Sequence, residues 1–119
     1  ESQAQKDALD YAYSRGVVLI AAAGNSGSNY KFYPAGYDNV IAVSATDSND
    51  YPAWFTNYGS WVDVAAPGVE ILSTLPNNQY ASWSGTSMAT PYVAGLAGLI
   101  LSKHAGSSKI PGYKIFQLP

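Results

Sequence analysis

Residues 17–23 read Val-Val-Leu-Ile-Ala-Ala-Ala, apolar at every position, with no polar residue to mark an outward face. A strand of this kind must be covered on both sides, the condition of a strand inside a helix-flanked, largely parallel sheet. This constrains the chain to a layered α/β architecture. The flanks agree. Over residues 2–15 the apolar positions Ala4, Ala8, Leu9, Ala12 and Tyr13 recur at helical spacing, and Arg15-Gly16 supplies the stop. After the apolar run, 24–36 reads as a loop rich in Asn, Ser, Gly and Tyr, with Tyr33-Pro34 a candidate cis bond. Further strands are expected over 40–45, 62–66, 70–74 and 79–83, with a turn at 47–50. A long helix is expected over 90–104, with Pro91 in its first turn. The polypeptide shows no internal repeat, and 106–119 reads as a tail too short to bury much alone.

Asn25 follows Gly24 directly, so an amide side chain leaves the carboxyl end of a buried strand, where open α/β sheets place their ligands. A second polar feature is Ser84-Gly85-Thr86-Ser87-Met88-Ala89-Thr90-Pro91, set directly before the apolar helical run. Small residues around Ser87 let another backbone approach, and a helix start offers unpaired N–H groups that favour negative charge. Ser87 thus reads as a presented nucleophile.

Composition removes several alternatives. Six basic and eight acidic residues give a net charge of −2 without a basic cluster, so a nucleic-acid footprint and a polybasic membrane anchor are not expected. There is no cysteine, which removes disulfides, thiolate metal sites and cysteine catalysis. The apolar runs fall short of the roughly 18 residues a membrane helix needs, and the first residues have no signal-peptide character.

A serine hydroxyl needs a positioned base, usually a histidine held by a carboxylate, and donors for the oxyanion that forms. Ser87 and Asn25 can supply two of these functions. The one histidine, His104, lies on the expected helix roughly 25 Å beyond Ser87 at 1.5 Å per residue. No acidic residue follows Ser87. The α/β-hydrolase elbow is excluded because it needs glycine two residues after the serine, where Ala89 stands. Either a base comes from polypeptide outside these residues, or the serine has another use: a noncatalytic binding module and an inert fragment stay open.

The segment Gly85 to Pro91, with Val93-Ala94-Gly95, resembles the nucleophile signature of the subtilisin-like serine proteases. Gly16-Val17-Val18 through Asn25 resembles the strand carrying that family's oxyanion asparagine. Tyr33-Pro34-Ala35 with Val40-Ile41-Ala42-Val43, and then Val62 to Gly68, resemble the segments that follow. The likeness covers 1–105 in the family's order, and the short loop between Asn25 and Tyr33 is nearer to thermitase-like members.

The resemblance implies the carboxyl-terminal part of a protease domain with a partial three-layer fold, the family's aspartate and histidine lying upstream. It implies Ser87 as the acylated nucleophile, Asn25 and the Ser87 N–H as oxyanion donors, and Thr86 as a supporting group. Ala22, Ala23 and Gly24 would wall the pocket for the residue before the scissile bond, with Phe32 near its floor; Trp83 and Met88 would contact the leaving side. It implies polypeptide substrates, an extracellular setting and chemistry without a cofactor. A calcium or monovalent cation can sit in the family on groups matching Ala35, Tyr37, Val40 and Asp63, although Trp61 replaces a second carboxylate there. Tyr92 departs from the family's usual histidine.

Overall fold

The computed structural model describes residues 1–104 and the backbone of 114–117. In chain order the elements are α1 (Gln3–Ser14), β1 (Val17–Ala22), β2 (Val40–Thr46), β3 (Val64–Pro67), β4 (Ile71–Leu75), β5 (Gln79–Trp83), α2 (Thr86–His104) and β6 (Lys114–Gln117). The main sheet runs β3-β2-β1-β6 with every pair parallel, and β4 and β5 form a separate antiparallel pair. The expected mostly parallel α/β architecture is present.

β1 shows why the sheet must be sandwiched. Its odd positions Val17, Leu19 and Ala21 join Leu9 of α1 with Ala35, Tyr37, Val40 and Ala42 in one apolar cluster. Ile20 points the other way and packs with Val43, Ala45, Phe55, Ala66 and Ala89 of α2. Alternation sends successive side chains to opposite faces, so an all-apolar strand feeds two cores at once. The layers are therefore α1, sheet and α2.

α1 stops as its sequence suggests, Gly16 taking φ 79° after Arg15; at its start Ser2 is extended and caps the helix, its hydroxyl accepting from the Gln5 N–H. The Tyr33-Pro34 bond is cis. Asp47 closes the turn at 47–50 by accepting from the Asn49 and Tyr51 N–H groups.

Three expectations shift. β3 begins at Val64 rather than at 62, because the Asp63 carboxylate takes the Ala42 N–H at 2.8 Å and replaces a ladder acceptor with a side chain. α2 begins at Thr86 rather than at 90, so Pro91 is the sixth helical residue and lies beyond the first turn. The early start is enforced from a distance: Asn25 Oδ1 accepts the Thr86 N–H at 2.8 Å, supplying the partner that a helix's opening N–H otherwise lacks. Finally, part of the expected tail is a strand. β6 pairs with β1 from Val17↔Lys114 to Ile20↔Gln117, giving partners to the second edge of a strand whose backbone is too buried to be satisfied by water. The rest of 106–119, with the boundary expected after 105, lies outside the described residues. Among the described residues no helix is long and apolar enough to cross a membrane.

Candidate active site

The carboxyl end of β1 and the start of α2 are built as one unit. Gly24 leaves the strand at φ 105°, and a Cβ there would lie 2.6 Å from Asn57 Nδ2, so only glycine fits. The next residue, Asn25, accepts twice through Oδ1, from the Thr86 N–H and from the Thr86 hydroxyl, both at 2.8 Å. That hydroxyl in turn accepts the Gly24 N–H at 3.2 Å. Thr86 has no exposed surface. With Oδ1 tied down, the amide nitrogen of Asn25 must point the other way.

It lies beside Gly85. A Cβ built on Gly85 would lie 3.4 Å from Asn25 Nδ2 and 3.8 Å from the Ser87 backbone nitrogen. Two N–H donors therefore flank the space that a side chain at 85 would fill, and glycine leaves that space open. Ser87 itself is exposed, in the first turn of α2. The loop is pressed into place from below, since the Gly85 N–H donates to the Gly68 carbonyl at 2.8 Å, and a Cβ on Gly68 would come within 2.8 Å of the Gly85 oxygen. Converging donors at a helix amino terminus are the arrangement that stabilises a forming oxyanion.

Two cavities open on Ser87. One, of about 450 Å³, is bordered by Asn25, Ser82, Trp83, Ser84, Gly85 and Met88. This brings Trp83 and Met88, expected on the leaving side, together with Ser87 and Asn25. The other, of about 350 Å³, is mostly apolar and runs between Ile71, Leu72 and Ser73 of β4 and Pro91 and Tyr92 of α2. Tyr92 is thus at the edge of the site.

The expected wall residues are contiguous but unequal. Ala23 is fully buried, its N–H bonded to the Val43 carbonyl and its carbonyl accepting from Asn57, whereas Ala22 and Gly24 keep partial exposure. Phe32 is half exposed and lies across Gly24, its Cγ 3.3 Å from where a Cβ would stand. None of the four borders the cavity that holds Trp83 and Met88.

Asn57 and Thr56 escaped the reading of the sequence. Asn57 is fully buried; its amide donates to the Ala23 carbonyl at 3.0 Å, its Oδ1 accepts the Ser26 N–H at 2.9 Å, and its backbone N–H reaches the Gly24 carbonyl. Thr56 accepts the Ala45 N–H and ties this brace to β2. A lone Asn before Tyr58-Gly59 looks like turn chemistry, and no local signal distinguishes it.

Ala35, Tyr37, Val40 and Asp63, the expected cation ligands, do border one cavity, of about 400 Å³, together with Lys31, Asp38 and Trp61. Two of these groups also accept backbone hydrogen bonds. The Tyr37 carbonyl already accepts the Val40 N–H, and Asp63 Oδ2 the Ala42 N–H. Calcium takes six to eight oxygens. Among the described residues no group of three or more His, Cys, Asp or Glu is placed to hold a metal.

Comparison with known proteins bears directly on this geometry. A family model for the subtilase peptidases matches residues 1–112. The chain is 55% identical to thermitase of Thermoactinomyces vulgaris over 105 residues, 88% of the chain and 38% of that protein. It is equally identical to a thermophilic serine proteinase of Bacillus sp. (strain AK1), over 88% of the chain and 26% of that protein. Subtilisin DY of Bacillus licheniformis is 56% identical over 107 residues, 87% of the chain and 39% of that protein. The chain thus spans between a quarter and two fifths of these relatives. The solved structure of the prenylagaramide maturation protease PagA superposes with a TM-score of 0.83 at 37% identity, covering 90% of the chain and 40% of that structure.

Proposed function

Since the chain belongs to the subtilase family, we propose that it is the nucleophile-bearing part of a serine endopeptidase domain, with peptide-bond cleavage passing through an acyl-enzyme on Ser87. The observation that carries this reading is the pair of donors around Gly85, Asn25 Nδ2 and the Ser87 N–H, at an exposed serine. Ser87 Oγ attacks the substrate carbonyl and its proton passes to an imidazole. Negative charge develops on the carbonyl oxygen between the two donors; the amine then leaves with the proton, and water releases the acyl group. His104, at the far end of α2, is too distant to be that imidazole.

The base and its carboxylate therefore come from a polypeptide segment outside these 119 residues, and the chain alone is inactive. α2 favours such a partner. Its Leu96, Leu99 and Ile100 are 56%, 69% and 50% exposed, although a helix apolar on all sides is normally enclosed. Substrates are polypeptides, the setting is extracellular, and the chemistry needs no cofactor. With Phe32 lying across Gly24, the pocket before the scissile bond suits small side chains.

The test is hydrolysis of a peptide library by the chain assembled with its upstream segment. Cleavage after small residues, abolished by Ser87→Ala and broadened toward large residues by Phe32→Gly, supports the reading. Peptide binding that persists unchanged in Ser87→Ala, without cleavage by the unmutated chain, identifies a noncatalytic binding module instead.

A further inference from the structure

The strand β6 lies beyond the part of the chain that matches its family. That match ends at residue 112, and β6 is Lys114–Gln117. Yet β6 holds a place the sheet cannot leave empty. Val17, Leu19, Ile20 and Ala21 of β1 are buried, and a parallel strand covered on both faces needs a hydrogen-bonding neighbour along each edge. β2 serves one edge, from Leu19↔Val40 to Ala22↔Val43, and β6 serves the other. Among the described residues that the family model matches, no strand takes that second edge. The chain spans two fifths or less of its relatives, so in a complete domain the natural source of a second neighbour for β1 is the remaining polypeptide.

We propose, on the premise of the upstream segment inferred above, that the β6 edge of β1 is the docking site for a strand of that segment, and that residues 114–117 are a placeholder which assembly displaces. Two features of the pairing favour the exchange. β6 is short, and among the described residues its register stops at Ile20↔Gln117, whereas β2 continues along β1 to Ala22. An incoming strand can therefore begin to pair at Ala21 and Ala22 and peel β6 back from there. Direction is the second feature. A strand laid parallel to β1 delivers its carboxyl end beside Gly24 and Asn25, the end at which open parallel sheets gather their functional groups and from which a base can reach Ser87. While β6 is paired it satisfies the backbone of β1 and blunts an edge that would otherwise recruit other chains, and it lowers the affinity of the isolated chain for its proper neighbour.

The test reads amide hydrogen exchange and binding in the full chain, with and without its upstream segment. In the unmutated chain alone, the amides of 114–117 should be protected; in the assembly they should exchange freely while β1 stays protected. The variant Ile115→Pro/Phe116→Pro removes two adjacent N–H donors from β6, one of which must face β1. It should bind the upstream segment about tenfold more tightly by titration calorimetry, the gain when a closed state populated about nine parts in ten is abolished. Protection of 114–117 that persists in the assembly would overturn the proposal, because the segment then adds elsewhere. Unchanged or weaker binding by the proline variant would overturn it too, as would a failure of both forms to bind. The exchange measurement needs no variant, so it decides the matter even where the proline chain does not fold. Neither readout depends on hydrolysis, which keeps this outcome separate from that of the acyl-transfer reading.

Discussion

Gly85 has no side chain, and the consequence is chemical. The space a methyl would fill lies at ordinary contact distance from Asn25 Nδ2 and the Ser87 nitrogen, so Gly85→Ala should fold normally yet block the oxyanion position. Thermal midpoint and kcat separate the two effects: an unchanged midpoint with a fall in kcat of about 10²-fold or more is expected. Asn25→Ala removes one donor, and kcat should drop by about 10²–10³, a magnitude carried over from subtilisin. Because Asn25 also caps Thr86 through Oδ1, the same variant should lose about 1 kcal/mol of stability by denaturant titration, which a purely catalytic donor would not. Met88 is the one methionine of the chain, half buried beside Ser87. Loss of activity in peroxide should track its conversion to sulfoxide by mass spectrometry, and Met88→Ala should resist.

At the scale of elements, patterns with a short period were legible and long-range hydrogen bonds were not. The all-apolar run at 17–23 revealed a doubly covered strand because alternation makes burial on both faces visible residue by residue. Helix α1 was readable from its apolar spacing and its Arg15-Gly16 stop. The start of α2 was not, because its first N–H is capped by Asn25, 61 positions earlier, and Pro91 was a misleading marker of the first turn. Asn57 was invisible for the same reason: its partners Ala23, Ser26 and Gly24 lie about thirty residues away. Removing that brace leaves the Ala23 carbonyl and Ser26 N–H unpaired, so Asn57→Ala should cost about 2–4 kcal/mol in chemical denaturation. α1 carries the clearest pH signal. The hydrogen bond from Lys6, joined by one from Asn39, holds the Asp10 carboxyl below the usual carboxylate range, and the bond to Asp10 raises Lys6. A depressed carboxyl contributes stability above its unfolded pKa and loses it as pH falls through the folded value; a raised lysine loses its share only as pH climbs past that raised value. Asp10→Asn should therefore flatten the acid limb of the stability profile slightly, the pair being solvent-exposed and screened.

For the whole molecule, the proposed function makes one demand. Ser87, Asn25, Trp83 and Met88 share one cavity, and the proposal assigns the imidazole to further polypeptide that would cover the exposed Leu96, Leu99 and Ile100 of α2. Leu99→Ser should weaken assembly with that segment by about tenfold or more, as read by titration calorimetry, because burying one leucine is worth roughly 1.5–3 kcal/mol. The most direct test of the central claim is fluorophosphonate labelling, mapped by mass spectrometry, of the chain alone and of the chain assembled with its upstream segment. Labelling confined to Ser87, and rapid only in the assembly, is the predicted result. Labelling elsewhere, none in a folded assembly, or equally rapid labelling of Ser87 in the isolated chain would contradict it.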